Sequence, residues 1–434
     1  MKRTILALAL VAGIAAPAAA DNRIDTIRPD APALAAYGER AVGVRTLQLS
    51  NPDQPDIASI DKDAALPDPL PTVERKLTVE LFYPAEDGAS GDTTHDVAMR
   101  DGTMIEIAGR SVRDAKPAAE VFPLVVLSHG YPGNRFLMAH LAENLASKGY
   151  VVASVDHPAS TYRDQRAFGD TLVHRPLDQI FVLNTLADMA KEGGELAGLV
   201  NADNAAIVGY SMGGYGALIA SGAGVTQKAV DLPFGAPHGL LSRHLQGSDT
   251  QMKPDPRVKT IVVFGPWGRN WDLWDADGLK NISVPSLFIA GGQDDVSGYE
   301  NGVRKIWEEA TGSNRALLTF EGANHNAGAP MPAPQEALDA ARKAGTNAPW
   351  DHYGDAVWDN VRMNNIAQHF VTAWLDVHLK GDAAKEKFLD LTVSAEDGVF
   401  AMEDGKEKPE HTYWEGFPNR SAKGLKFEKA DAAQ

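Results

Sequence analysis

The chain has 434 residues, a formal net charge of −17 and no cysteine. The lack of cysteine excludes disulfides, a cysteine nucleophile and thiolate metal sites. An acidic surface repels nucleic acid and anionic lipid headgroups, so we expect neither as a partner. With 44% hydrophobic residues, the chain can bury a large core, and its length indicates one core that carries insertions.

The first twenty residues have the pattern of a cleavable export signal. Lys2 and Arg3 precede an apolar stretch that ends in small residues at Ala20. No later stretch approaches eighteen uninterrupted apolar residues, so we expect no membrane insertion. The sequence therefore predicts a signal peptide at 1–20 and an exported protein, periplasmic or secreted. Residues 21–72, rich in Asp, Pro and Ala, are interpreted as an N-terminal extension.

Apolar runs alternate with helical segments in the central part of the chain. Strands are predicted at 78–84, 123–130, 150–158, 206–210, 258–265, 284–292 and 315–322, and helices at 135–149, 175–191, 300–310 and 357–380. This pattern predicts an α/β fold with a mostly parallel, doubly wound sheet covered on both faces. The predicted organisation is one α/β domain at 73–381, insertions at about 231–256 and 327–350, and a polar C-terminal extension at 382–434.

The segment GYSMG at 209–213 places Ser211 between two glycines, directly after a predicted strand. In doubly wound sheets, ligands bind beyond the carboxyl ends of the strands. A G-x-S-x-G turn there is typical of a serine nucleophile, because the glycines leave room for the strand and the helix to approach. The alternative is a dinucleotide-binding turn. Gly214 and Gly216, however, are followed by Ile219 and do not complete G-x-G-x-x-G, and no acidic residue ends a predicted strand about twenty positions later.

A serine nucleophile needs a base, and the base needs an orienting acid. His325 follows the last predicted core strand, and Asp294 and Asp295 follow the strand before it. The chain order serine, aspartate, histidine is the order found in α/β-hydrolases. We predict Asp295 as the acid because it lies three residues after Gly292, in G-x-x-D spacing. Asp294 is then expected to face solvent or to cap the next helix.

Two backbone N–H groups are predicted to form an oxyanion hole. Met212 follows the serine at the N-terminus of the next helix, where the helix dipole favours negative charge. Tyr131 lies in the loop LSHGYPGNR after the strand at 123–130 and is predicted to supply the second N–H group. This chemistry requires no metal and no organic cofactor.

Bulky side chains near the predicted strand ends are candidates for the substrate pocket. Trp267 follows the strand at 258–265, and Trp271 and Trp274 lie close behind it. These tryptophans are typical either of an apolar acyl pocket or of packing beneath an insertion. We predict that Trp267 and Phe136 border the nucleophile and bind substrate.

Together these motifs resemble the secreted bacterial α/β-hydrolases of the dienelactone-hydrolase-like and platelet-activating-factor-acetylhydrolase-like group. The resemblance covers residues 40–380 and rests on VVLSHGYPGNR, SVDHPAST, GYSMGGYGAL and FIAGGQDD. It implies an α/β-hydrolase catalytic domain at 73–381 and a serine carboxylic ester hydrolase for small or short-acyl esters, working through an acyl-enzyme. Dienelactone hydrolases use a cysteine nucleophile, which this chain lacks.

Other functions remain as alternatives on the same fold. An amide or peptide hydrolase and a polyester depolymerase would use the same serine, histidine and aspartate. An exported binding protein without turnover is the non-enzymatic alternative, and it is disfavoured because every residue type of the triad is present. Labelling by a fluorophosphonate separates an active serine hydrolase from such a scaffold.

Overall fold

The structure is a computed structural model that describes residues 22–433, so the predicted signal peptide at 1–20 lies outside the described residues. The strands are β1 Val42–Pro55, β2 Thr72–Pro84, β3 Thr94–Ala98, β4 Met104–Ala108, β5 Ser111–Arg113, β6 Phe122–Ser128, β7 Val151–Asp156, β8 Val200–Tyr210, β9 Val258–Phe264, β10 Ser286–Gly291, β11 Arg315–Phe320, β12 Met402–Glu403, β13 Lys406–Glu407 and β14 Leu425–Ala430. The α-helices are α1 Ala139–Ser147, α2 Phe168–Met189, α3 Met212–Ala220, α4 Gln227–Val230, α5 Ala276–Leu279, α6 Arg304–Glu309, α7 Gln335–Ala344, α8 Ala348–Asp351 and α9 Asn360–Lys380.

Ten of the strands form one sheet, in the order β14-β11-β10-β9-β8-β6-β7-β2-β1-β5. The six strands from β11 to β7 in this order are parallel to one another. Strands β14 and β2 pair antiparallel at the two sides of this parallel centre. The prediction of a mostly parallel sheet is confirmed. The six parallel strands end at one edge, where a ligand site is expected.

Both faces of the sheet are covered, as the near-continuous apolar strands predicted. In β6, Leu124 and Val126 belong to a hydrophobic cluster that includes residues of α2 and α3. Val125 and Leu127 belong to a second cluster, which includes residues of α1 and α9. Successive side chains of a strand point to opposite faces, so this alternation separates the two layers of helices. The result is a rigid frame for loops at the strand ends.

The segments predicted as terminal extensions both contribute strands to the sheet. Strand β1 lies within residues 21–72 and pairs antiparallel with β2. Strand β14 lies within residues 382–434 and pairs antiparallel with β11. Before β14, the side chains of Tyr413, Trp414 and Phe417 are buried in the core beside α9. The C-terminal segment is therefore polar in composition but is packed into the fold.

The helix boundaries differ from the predicted ones where polar side chains bind the backbone. Helix α1 begins at Ala139 rather than at residue 135, because the side chains of Asp156 and Asn134 accept the N–H groups of Arg135 and Phe136. Helix α9 begins at Asn360, where the Asp359 carboxylate caps the first turn. No α-helix within residues 22–433 is long and apolar enough to cross a membrane.

Candidate active site

Ser211 lies in a tight turn between β8 and α3, at the parallel-strand edge of the sheet. Its backbone has φ 53° and ψ −109°, a conformation that an L-residue adopts only under strain. A Cβ atom on Gly213 would lie 2.0 Å from the carbonyl oxygen of Ser128, and one on Gly209 would lie 2.3 Å from Gly213. Both glycines of the predicted motif are therefore required by the close approach of backbone to backbone. The turn presents the serine hydroxyl at the strand end.

His325 follows β11 and is bound to an aspartate that follows β10. The distance between His325 Nδ1 and Asp294 Oδ2 is 2.8 Å. The other oxygen of Asp294 accepts the N–H groups of Ser297 and Val296 at 2.8 and 3.0 Å. Because Nδ1 donates to the carboxylate, Nε2 of the neutral ring is free to accept a proton.

The Asp294 carboxyl is buried, but its pKa is nevertheless lowered. Burial raises the pKa, and the charge of His325, its hydrogen bond and the two backbone N–H groups lower it by more. A carboxyl with a lowered pKa is ionised at neutral pH. Asp294 is therefore suited to orient an imidazole and to stabilise its protonated form.

The acid that binds His325 is Asp294 and not Asp295, the residue predicted from the sequence. The side chain of Asp295 is exposed at the rim of the cavity and makes no hydrogen bond to His325. The physical reason is the end of β10 at Gly291, which turns residue 294 inward and residue 295 toward solvent.

Ser211 and His325 line one cavity of about 400 Å³. The aromatic ring of Tyr210 packs against the imidazole with ring centroids 5.1 Å apart. No hydrogen bond joins Ser211 to His325 in the described chain, and such bonds are often long before substrate binds. The cavity is lined by Arg100, Tyr131, Pro132, Tyr210, Ser211, Asp295, Val296, Asn324, His325, Asn326, Asp351 and His352.

The two predicted oxyanion donors lie on either side of the serine. Met212 begins α3, and Tyr131 lines the cavity. A Cβ atom on Gly130 would lie 3.3 Å from the Cβ atom of Ser211, so the loop before Tyr131 rests against the serine. Within residues 22–433, neither the Met212 nor the Tyr131 backbone N–H has a hydrogen-bond acceptor. Both are therefore available to an oxygen in the cavity.

Neither of the two predicted pocket residues lines the cavity, although Trp267 lies beside the serine turn. The backbone N–H of Trp267 donates to the carbonyl of Ser211 at 3.3 Å, and its indole packs against Phe168. Phe136 is buried in the core, where its ring stacks on His95, and it borders a different cavity. The prediction that Phe136 borders the nucleophile is wrong, because residues 134–138 turn away into the start of α1.

Several cavity residues gave no sequence signal. Arg100 comes from the loop between β3 and β4, and Asp351 and His352 directly follow the insertion predicted at about 327–350. His352 Nε2 lies 2.6 Å from the hydroxyl of Tyr162, and the amide of Asn326 binds the carbonyl of Asp351. These residues reach the cavity only through tertiary contacts, so local patterns could not identify them.

A buried polar chain lies beneath the Tyr131 loop. His157 joins Ser128 and Asp178 through contacts of 2.9 Å on each ring nitrogen. Asp178 also binds Arg75, whose guanidinium donates to Asp170 as well. Burial and the nearby charge of Arg175 lower the pKa of His157 to about 3, so the ring is neutral. Its Nδ1–H therefore donates to Asp178, and Nε2 accepts from the Ser128 hydroxyl.

Within residues 22–433, no group of three or more His, Asp or Glu side chains could hold a metal ion.

Gly265 lies directly behind the Asp294–His325 pair, and its replacement by alanine is expected to disturb it. Its φ is 46°, and a Cβ atom would lie 3.1 Å from both Asp294 Oδ2 and His325 Nδ1. Because small displacements of catalytic groups are costly, Gly265→Ala should lower turnover by about 10- to 100-fold. The left-handed backbone should also cost about 1 kcal/mol in the free energy of unfolding.

The control for this prediction is Gly292→Ala. There a Cβ atom would meet its nearest neighbours at 3.5 Å, an ordinary contact distance. Ester turnover and chemical denaturation of both variants provide the comparison. Equal activities for Gly265→Ala and Gly292→Ala would contradict the expected effect.

The sheet order and the two layers of helices give this chain an α/β-hydrolase fold. Its fold is similar to that of a ferulic acid esterase from Streptomyces cinnamoneus, with a TM-score of 0.55 and 20% identity. That similarity covers 94% of this chain and 99% of the esterase chain.

The PETase family, described as PET hydrolase-like, matches residues 108–237. The match includes the Tyr131 loop and Ser211 and ends before Asp294 and His325. Cutinase 2 of Thermobifida cellulosilytica is 24% identical over 204 residues, which are 46% of this chain and 59% of the cutinase. Cutinase est2 of Thermobifida alba is 22% identical over the same length, 46% of this chain and 52% of the cutinase. The chain thus spans about half the length of the curated relatives it matches.

Proposed function

We propose that this protein is a serine carboxylic ester hydrolase. Ser211 attacks the acyl carbon while His325 Nε2 takes the hydroxyl proton, and Asp294 stabilises the imidazolium that forms. The N–H groups of Met212 and Tyr131 stabilise the oxyanion. His325 then returns the proton to the alcohol as the ester C–O bond breaks, and a water molecule hydrolyses the acyl-enzyme. The observation that carries the proposal is a strained serine in one cavity with a histidine bound to a buried aspartate.

The similarity to cutinases and to a ferulic acid esterase supports ester rather than amide chemistry. The strained backbone at Ser211 disfavours the binding-protein alternative, since such strain persists where a function needs it. The pattern of residues 1–20 supports export of the enzyme. N-terminal sequencing of the mature protein, expected to begin near Asp21, checks the export proposal, and a retained Met1 would contradict it.

Small soluble esters with short acyl chains are the proposed substrates. The cavity of about 400 Å³ is at the small end of ligand sites and is bordered by the Tyr131 side chain. The net charge of −17 opposes adsorption to an anionic lipid interface, which long-chain lipids would require. Both features favour acetyl and butyryl esters over palmitoyl esters.

The substrate proposal predicts the order of kcat/KM for matched esters. Acetyl and butyryl esters of 4-nitrophenol should exceed the palmitoyl ester by about tenfold or more, the range that pocket contacts give. A matched anilide should react more slowly still, because its amine must be protonated to leave. A palmitate optimum would contradict the pocket argument, and an anilide rate equal to the ester rate would favour the amidase alternative.

A polyester depolymerase is the second candidate, and an exposed aromatic strip favours it. The strip consists of Tyr131, Phe168, Trp267, Phe234 and Trp271, and each ring lies 5.1 to 6.5 Å from at least one other ring of the set. Phe234 and Trp271 are 42% and 45% exposed. Such a surface can hold a chain that extends beyond the cavity. Release of soluble products from an amorphous aromatic polyester film, measured beside the soluble esters, separates the two candidates.

A further inference from the structure

Arg175, in the middle of α2, is a buried cation that forms no ion pair with a carboxylate among residues 22–433. Its side chain is 1% exposed, and its hydrogen bonds within residues 22–433 go to one carbonyl and two hydroxyl groups. Arg75, which is also buried, is instead paired with both Asp170 and Asp178. Burial lowers the pKa of the Arg175 guanidinium, and the nearby charge of Asp178 offsets this only in part. Taking a charge out of water is costly, so the contacts that the guanidinium makes show what its position serves.

The guanidinium of Arg175 is hydrogen-bonded to the loop that carries Tyr131. One terminal nitrogen donates to the carbonyl oxygen of His129, and the other donates to the hydroxyl of Ser160. The carbonyl of His129 begins the loop directly after β6. Arg175 therefore joins this loop to the loop that follows β7.

The next carbonyl of the loop is held by the His129 ring. Nε2 of His129 accepts the backbone N–H of His157 at 3.3 Å, and Nδ1 lies 2.6 Å from the carbonyl oxygen of Gly130. Burial and the charge of Arg175 lower the pKa of His129, so the ring is neutral and its single N–H, on Nδ1, donates to Gly130. That carbonyl shares a peptide group with the N–H of Tyr131. In a trans peptide the two point in opposite directions, so fixing the carbonyl aims the N–H.

We propose that Arg175 is a positioning residue of the oxyanion hole, which fixes the Tyr131 N–H through the His129–Gly130 backbone and places a positive charge behind it. This inference rests on the proposed ester hydrolase function. One turn further along α2, Gln179 donates to the carbonyl of Gly213 at 2.9 Å, in the first turn of α3. The same helix face thus holds both the Tyr131 loop and the turn that carries Met212. A fixed pair of donors needs no reorganisation when the oxyanion forms, which is how such a hole lowers the barrier.

Arg175→Met tests the inference, because methionine retains much of the volume and removes the charge and all three hydrogen bonds. Loss of one aimed donor should lower kcat by about 100-fold and leave KM within about threefold. A trifluoromethyl ketone that matches the preferred acyl chain forms a tetrahedral adduct with the serine. Its affinity should fall in parallel with kcat/KM. Arg175→Lys, which keeps a charge but has only one nitrogen for three acceptors, should be intermediate.

Arg315→Met is the matched control. Arg315 begins β11, at the opposite edge of the sheet from the carboxyl ends of the parallel strands. It is also buried, and it donates to the backbone carbonyls of Trp307 and Asp431. Its loss should lower thermal stability without changing kcat or the affinity for the ketone. Ketone affinity unchanged in Arg175→Met, or reduced equally in Arg315→Met, overturns the positioning role.

If Arg175→Met does not fold, Arg175→Lys decides the question. A folded lysine variant with wild-type kcat and ketone affinity overturns the inference, and one with a lower kcat at unchanged KM supports it. A wild type that hydrolyses no ester overturns the proposed function itself and the positioning role with it. That failure is visible without any variant.

Discussion

Replacing Ser211 or His325 by alanine should lower ester turnover by about 10⁴- to 10⁶-fold, because residues of a triad act as a unit. Without the hydroxyl no acyl-enzyme can form, and without the imidazole the hydroxyl has no base. Both side chains end in the cavity rather than in the core, so the variants should fold. Burst kinetics and steady-state turnover on a short-chain ester measure the effect.

Ser221→Ala is the matched control for Ser211→Ala. Ser221 ends α3, is buried and has a hydroxyl without a hydrogen-bond partner among residues 22–433. This variant should keep wild-type turnover and should still be labelled by a fluorophosphonate. Ser211→Ala should not be labelled. Retained hydrolysis by purified, folded Ser211→Ala protein would falsify the proposed mechanism.

The centre of the fold was predictable from the sequence because its strands are buried on both faces. Strands such as β6 and β10 appear as unbroken apolar runs, and the helices between them have apolar faces. The outer strands lack this signal. Strand β14, LKFEKA, lies at the sheet edge with much of its surface exposed, and the polar end of β1 extends beyond the core. Their pairing is decided by partners far away in the chain, so local composition suggested extensions.

Those residues of the candidate site that lie in or beside a local sequence motif could be predicted. Ser211 and Met212 follow from the glycine pattern, and His325 follows from its place after the last core strand. Arg175 and His352 gave no comparable signal. Arg175 lies on a helix face whose contacts are 46 residues away in the chain, and His352 reaches the cavity from the segment that directly follows the predicted insertion. Residues of this kind are identified only by tertiary contacts.

The acid of the site was ambiguous in sequence for a specific reason. The segment GGQDD contains two glycines and two aspartates, so G-x-x-D spacing occurs twice, from Gly291 to Asp294 and from Gly292 to Asp295. The spacing cannot choose between them. The choice depends on where β10 ends and on which side chain is then buried.

Asp294→Asn should therefore be far more damaging than Asp295→Asn. An asparagine at 294 keeps one oxygen for the N–H groups of Val296 and Ser297, so the loop should fold. It can no longer bind the Nδ1–H of His325 as a carboxylate, and its amide favours the wrong imidazole tautomer. We expect a loss in kcat of about 10⁴-fold, the scale known for this substitution in a serine triad.

The Asp295→Asn variant serves as the control, because it makes the same aspartate-to-asparagine substitution at the neighbouring position. Asp295 is exposed and does not contact His325, so turnover should stay within about threefold of the wild type, as for a surface charge. Parallel kcat measurements, with thermal unfolding to show that both variants fold, make the comparison. Because Asp294 has a lowered pKa, its carboxylate is ionised throughout the neutral range, and the difference should persist across that range. Equal damage in the two variants, or greater damage at 295, would mean that substrate binding moves the acid by one residue.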